Sequence, residues 1–134
     1  MEDSEMRVLL TTWGSRGDVE PLVGLAVALR EFGAEARVCA PPDDEFAQLL
    51  ERVGVPLVPL GPTVRSVVAG TKPPTADDAA RLASELVAAG FDTLRAAAEG
   101  CDALLANGMM AAAGARGAAE RLGVPYVYAC YHTR

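Results

Sequence analysis

The sequence has no apolar run approaching the roughly 18 residues that a membrane-spanning helix needs, and no cluster of lysine and arginine. Its first five residues are acidic in character, unlike the basic start of a signal peptide. Twelve basic residues stand against 18 acidic ones, which gives a net charge of −6. We therefore expect a cytoplasmic protein that neither spans a membrane nor binds nucleic acid.

Cysteine and histidine are also scarce. Cys39, Cys101 and Cys130 are odd in number, far apart and embedded in apolar segments, and His132 is the only histidine. Disulfide frameworks and metal sites usually need paired or clustered cysteines, so we expect three buried thiols and no metal. Buried thiols of this kind agree with a reducing cytoplasm.

Residues 7–21 contain the most informative pattern, which predicts a buried strand, a glycine-containing loop and the start of a helix. The unbroken apolar run at 8–10 is typical of an interior parallel strand covered on both faces. Pro21 suits the first position of a helix, which would make Glu20 the cap. Asp18 would then precede the helix with a carboxylate that caps nothing, at the strand edge where open α/β sheets bind ligands.

The rest of the chain alternates helical and strand patterns, and its 51% hydrophobic content is ample for one domain. Thr75 and Asp78 predict a capping box at the start of the longest helix. Parallel strands joined by right-handed crossovers predict a doubly wound α/β sheet of five strands in the order 3-2-1-4-5. The predicted strands are 7–12, 35–40, 57–60, 103–107 and 125–130, and the predicted helices are 21–32, 44–53, 75–100 and 109–122.

The predicted strand order reverses between the first and fourth strands. The loop at 13–20 is therefore expected to face residues 107–109 across a crevice, which is where such sheets hold their ligands. The fifth strand would carry residues 131–134 to the same edge, and we interpret the chain as a fragment. The connection at 61–74 is long for a compact domain and is expected to be a functional or partly ordered loop at this edge.

The stretch from Met6 to Pro21, which ends in Trp-Gly-Ser-Arg-Gly-Asp-Val-Glu-Pro, resembles the amino terminus of glycosyltransferases that act on vancomycin-type glycopeptide antibiotics. Val38–Asp43, Gly54–Pro56 and Ala97–Cys101 resemble the same family. The resemblance implies a GT-B architecture, in which residues 6–134 form a Rossmann-like acceptor-binding domain and residues 1–5 are an extension. The nucleoside-diphosphate sugar donor would bind to a carboxyl-terminal domain that is missing here, so this chain itself would bind no cofactor.

The resemblance also implies inverting transfer of a sugar to an acceptor hydroxyl, with Asp18 as the general base and Ser15 assisting it. Burial beside an apolar acceptor would raise the pKa of Asp18, whereas the positive end of the following helix would lower it. The residues alone leave two other roles open with similar weight: Asp18 caps the helix, or it braces Arg16.

A small-molecule aglycone is the expected partner, and five residues are expected to contact it: Trp13, Gly14, Asn107, Met109 and His132. Three of these residues also have an alternative role that involves no acceptor. Trp13 would merely fill the sheet edge, Met109 would pack in the core, and His132 would be an exposed bystander near the end of the chain.

Two other functions stay open at this point. The chain could be a non-catalytic acceptor-binding module of a split or chimeric enzyme. It could also be a nucleotide-binding oxidoreductase domain, although Gly14, Gly17 and Gly24 do not have the G-x-G-x-x-G spacing of dinucleotide binders.

Overall fold

The computed structural model describes residues 6–68 and 75–130. All the strand pairs within these ranges are parallel, and the sheet order is β3-β2-β1-β4-β5, which confirms the predicted doubly wound topology. The elements are β1 (Arg7–Thr12), α1 (Arg16–Glu31), β2 (Glu35–Ala40), α2 (Asp44–Val53), β3 (Leu57–Pro59), α3 (Val64–Val68), α4 (Ala76–Ala97), β4 (Ala103–Asn107), α5 (Met109–Leu122) and β5 (Tyr126–Tyr128).

The sheet lies between two apolar layers because side chains alternate along each strand. Val8 and Leu10 of β1 belong to the cluster formed with residues of α1 and α2. Leu9 belongs to the opposite cluster, which contains Leu94 of α4 and Ala115 of α5. Burial of β1 on both faces is what its continuous apolar run predicts.

Helices α4 and α5 pack unusually close together at Gly114. A Cβ atom added there would lie 3.2 Å from the backbone nitrogen of Phe91 and 3.3 Å from the carbonyl carbon of Gly90. Both neighbours are backbone atoms of α4, so a side chain at position 114 would push the helices apart. The small residues of α5 therefore set its distance from α4.

The start of α1 differs from the prediction. The helix begins at Arg16 with Ser15 as its cap, and Pro21 lies inside it as the sixth residue. Ser15 and Asp18 have the S-x-x-D spacing of a capping box, and this local signal outweighs the preference of proline for the first turn. Glu20 is consequently a helical residue and caps nothing.

The edge strands β3 and β5 are shorter than predicted, and each pairs with a single neighbour through three residues. A short helix, α3, occupies part of the connection that was predicted to be a loop. Residues 69–74 and 131–134, also expected at this edge, lie outside the described ranges.

Two further expectations concern burial and capping. Thr75 and Asp78 form the predicted capping box, with the Asp78 N–H donating to Thr75 Oγ1 at 3.1 Å. The backbone N–H of Thr75 lowers the pKa of the Asp78 carboxyl.

Cys39 and Cys101 are buried as predicted, whereas Cys130 is exposed because it follows the short edge strand β5.

Candidate functional site

Asp18 lies in the first turn of α1, at the carboxyl end of β1. Its Oδ2 accepts the backbone N–H of Ser15 at 3.0 Å, so the carboxylate takes part in the capping box of which Ser15 is the cap, a form of the capping role that the sequence left open. Arg16 does not pair with it. The Arg16 guanidinium instead lies 2.5 Å from Glu20 Oε2 and 3.9 Å from Glu45 Oε1, which excludes the bracing role.

Only one oxygen of the Asp18 carboxylate is engaged by the described residues: no hydrogen bond from them reaches Oδ1. Asp18 is half-buried, which places it between the core and the solvent. Among the described residues, the carboxylate is therefore held through Oδ2 alone.

Gly14 leaves room for this carboxylate. A Cβ atom at position 14 would lie 2.2 Å from Asp18 Oδ2 and 2.8 Å from its Cγ, distances that no real contact adopts. Gly14 is among the residues that are expected to contact an acceptor; in the structure its immediate neighbour is Asp18.

The ends of β1 and β4 lie side by side, as the strand order requires. Thr12 and Asn107 are partners in the parallel register, and Thr12 Oγ1 lies 3.5 Å from Asn107 Oδ1. Asn107 is buried and its Nδ2 donates to the carbonyl oxygen of Ala129 at 2.8 Å. Its amide therefore ties the end of β4 to the segment that follows β5.

The turn from β4 into α5 depends on Gly108, whose φ of 88° is unfavourable for residues with a side chain. Position 108 also faces β1, because a Cβ there would lie 3.6 Å from Thr12 Oγ1. Met109 begins α5, and its side chain lies outside what the structure describes, as does the whole of His132. Their expected contacts with an acceptor stay predictions.

Trp13 fills the edge of the sheet. It is buried, packs in the same cluster as Leu60 and Leu86, and its Nε1 donates to the carbonyl oxygen of Pro62 at 3.0 Å. The indole thus fastens the segment after β3 onto the end of β1, and little of its surface is left to face a ligand.

Sequence reasoning missed Asp43, which carries a buried carboxylate at the same edge. Oδ1 accepts the N–H of Val64 at 2.7 Å and Oδ2 accepts the N–H of Arg65 at 2.9 Å. The predicted start of α2 at residue 44 is confirmed. No spacing rule could have found a partner 21 residues away in a connection of unknown conformation.

A cleft of about 330 Å³ lies next to this carboxylate, between the start of α2 and the segment around α3. It is lined by Pro42, Asp43, Asp44, Glu45, Gln48, Thr63 and Arg65.

Across the described ranges, none of the helices has the length and apolar character needed to cross a membrane. The same ranges contain no group of three or more His, Cys, Asp or Glu side chains suited to a metal ion.

Comparisons with known proteins agree with this fold. Residues 22–134 match the glycosyl transferase 4-like domain, and the chain belongs to that family. It is similar to the vancomycin aglycone glucosyltransferase of Amycolatopsis orientalis, with 55% identity over 125 residues that cover 92% of the chain and 30% of the relative. The chain thus corresponds to the amino-terminal portion, about 30%, of glycopeptide antibiotic glycosyltransferases of the GT-B fold.

Solved glycosyltransferase structures share the fold of this chain. The calicheamicin glycosyltransferase CalG4 superposes with a TM-score of 0.74 over 97% of this chain and 33% of its own, and at 20% identity it supports the fold alone. The glycosyltransferase VinC, solved with dTDP, is 28% identical and superposes with a TM-score of 0.67 over 93% of this chain and 34% of its own.

Proposed function

We propose that this chain is the acceptor-binding part of an inverting glycosyltransferase of antibiotic biosynthesis. The complete enzyme would move a sugar from a nucleoside-diphosphate donor to a hydroxyl of a glycopeptide-type aglycone. The observation that carries this proposal is the Asp18 carboxylate, anchored through Oδ2 at the switch point of the sheet with Oδ1 unengaged by the described residues. Ligands of open α/β sheets bind at this point.

The geometry supports Asp18 as the general base. The acceptor hydroxyl would donate its proton to Oδ1 while its oxygen bonds to the anomeric carbon of the sugar. The bond from that carbon to the diphosphate breaks as the new one forms, and the diphosphate leaves with the electron pair. Attack from the face opposite the leaving group inverts the configuration of the anomeric carbon.

The helix start holds Asp18 in a fixed orientation. The bond from the Ser15 N–H fixes the carboxylate, which favours a productive geometry for proton transfer. Ser15 would therefore assist through its backbone, by orienting Asp18, as well as through its nearby hydroxyl.

The donor side of the reaction is inferred from relatives. VinC was solved with dTDP, and a sugar linked to such a nucleoside diphosphate is the donor we propose for the complete enzyme. The chain spans about 30% of the length of the curated relatives it matches, and we place donor binding in the part of the enzyme beyond the match. The 134-residue chain alone would then be an acceptor-binding module without transfer activity.

The test uses two proteins. The 134-residue chain is titrated with vancomycin aglycone, and a chimera in which it replaces the matching part of the vancomycin aglycone glucosyltransferase is assayed for sugar transfer. We expect binding by the chain and transfer only by the chimera. A folded chain that fails to bind any glycopeptide aglycone, together with an inactive chimera, would overturn the proposal.

A further inference from the structure

The cleft between α2 and α3 lies at the same edge of the sheet as Asp18. It opens beyond the ends of β2 and β3, since α2 follows β2 after three residues and α3 follows β3 after four. Its two walls come from different elements. Asp44, Glu45 and Gln48 of α2 form one wall, and Thr63 and Arg65 form the other.

Two contacts connect this cleft to the segment that leads into the first turn of α1, where Asp18 lies. Glu45, which lines the cleft, lies 3.9 Å from the guanidinium of Arg16, the residue after Ser15. Trp13, the residue before Gly14, donates its indole N–H to Pro62, which precedes the cleft-lining Thr63. These contacts place the cleft next to the helix start that carries the candidate base.

Asp43 holds the α3 wall in place. Asp43 is 8% exposed, and its two carboxylate oxygens accept the consecutive N–H groups of Val64 and Arg65. Its side chain makes no capping bond to α2, which starts through the Asp43 backbone carbonyl instead. The hydrogen bonds of the carboxylate thus go to α3, and none of them caps α2.

We propose that Asp43 is a positioning residue for acceptor binding, because it fixes the α3 wall of a cleft that takes the hydroxyl- and amide-bearing part of the acceptor. The lining offers carboxylate, amide, hydroxyl and guanidinium groups, which suit the donors and acceptors of a peptide better than an apolar ring. The proposal rests on the proposed function, and it adds a second region of the acceptor site besides the one around Asp18.

The test compares Asp43→Asn with Asp102→Asn in the 134-residue chain. Asparagine keeps the shape of the side chain but places an NH₂ group against one of the two N–H donors. Asp102 is the matched control because its carboxylate also accepts a backbone N–H, that of Arg7 at 2.8 Å, at the opposite end of the sheet. Calorimetric titration with vancomycin aglycone measures affinity, and amide exchange of Val64 and Arg65 measures how firmly α3 is held.

We expect Asp43→Asn to bind the aglycone about tenfold more weakly, the effect of losing one bond to a charged acceptor, with faster exchange at Val64 and Arg65. Asp102→Asn should change neither. Gln48→Ala, which removes a lining side chain from an exposed helical position and leaves the Asp43 bonds intact, should weaken binding without changing that exchange.

The possible failures are distinguishable. Unchanged aglycone affinity in both Asp43→Asn and Gln48→Ala would overturn this inference and leave the proposed function standing. If Asp102→Asn weakens aglycone binding as much as Asp43→Asn does, the loss of affinity comes from general destabilisation. That result would also overturn this inference. If the unaltered chain binds no aglycone and the chimera is inactive, the proposed function and this inference fail together.

Discussion

The Asp18 carboxylate occupies the space that a side chain at position 14 would need: a Cβ there would lie 2.2 Å from Oδ2. Gly14 and Asp18 are therefore a matched pair, although they are four residues apart and belong to a loop and a helix. The glycine sets where the carboxylate lies, and the Ser15 N–H sets which of its oxygens is engaged.

Gly14→Ala should impair catalysis more than folding. The added methyl group forces the Asp18 side chain out of its position, and in the chimera we expect the turnover rate to fall by about 10²-fold, the effect of misplacing a reacting group by about 1 Å. Steady-state kinetics with vancomycin aglycone measure this, and a thermal unfolding scan shows whether the fold survives.

Gly17→Ala is the matched control for that variant. Its Cβ would have only Ser15 Oγ as a neighbour, at 4.0 Å, so the Asp18 carboxylate can stay where it is. Equal rates in the Gly14→Ala and Gly17→Ala enzymes would contradict the positioning role of Gly14.

A second glycine pair tests the packing of α4 against α5. Gly114→Ala places its Cβ 3.2–3.3 Å from backbone atoms of α4 that cannot move aside, and overpacking of this kind costs about 1–3 kcal/mol. Gly24→Ala lies in α1 with nothing within 4 Å of its Cβ, and it should stabilise the chain by about 0.5–1 kcal/mol. Urea unfolding of both variants measures the difference, and a Gly114→Ala chain as stable as Gly24→Ala would show that the helices are not in close contact.

Cys39 should make the fold sensitive to alkaline pH. Burial raises the pKa of its thiol from 9.0 to about 12. Below pH 9 the thiol is protonated in both states, so its contribution to stability is fully present. As the pH rises toward 12, the unfolded chain releases the proton and the folded chain retains it, so the free energy of unfolding falls.

The measurement compares the unfolding free energy of the unaltered chain and Cys39→Ala across this pH range. The two proteins share their other titrating groups, so the difference between their pH slopes belongs to Cys39. A steeper decline in the unaltered chain is expected, whereas parallel curves would show that the thiol ionises as easily in the folded state as in the unfolded one.

Elements with a strong local signal were predicted from the sequence with accurate bounds. An unbroken apolar run predicts strand β1, and the capping box of Thr75 and Asp78 predicts the start of α4. Ser15 and Asp18 carry the same capping pattern, but the preference of proline for the first helical position predicts a start at Pro21, five residues later than the observed start at Arg16. A proline in the second turn removes one backbone donor, which a satisfied capping pair outweighs.

The candidate site was predictable only in part, because its remaining contacts join distant segments. The sheet order brings the β1 and β4 loops together, and that order follows from the alternation of elements. The bonds from Asp43 to α3 and from Trp13 to Pro62 depend on the path of the connection after β3, which no periodicity specifies. Exposure of Cys130 was missed for a similar reason, since it depends on how short β5 is.

The central claim is that Asp18 takes the proton of the acceptor hydroxyl, and Asp18→Asn in the chimera tests it most directly. Asparagine keeps an oxygen that can accept the Ser15 N–H but removes the basic site, so the unfolding midpoint should change little. Loss of the cap itself is measured by Asp18→Ala, which should cost about 0.5–2 kcal/mol.

The deciding measurement is the turnover rate of Asp18→Asn with vancomycin aglycone at saturating donor. We expect it to fall by about 10²- to 10⁴-fold, the usual contribution of positioned proton transfer, with acceptor affinity nearly unchanged. An Asp18→Asn enzyme that turns over at the full rate would contradict the account and leave Asp18 as a helix cap alone.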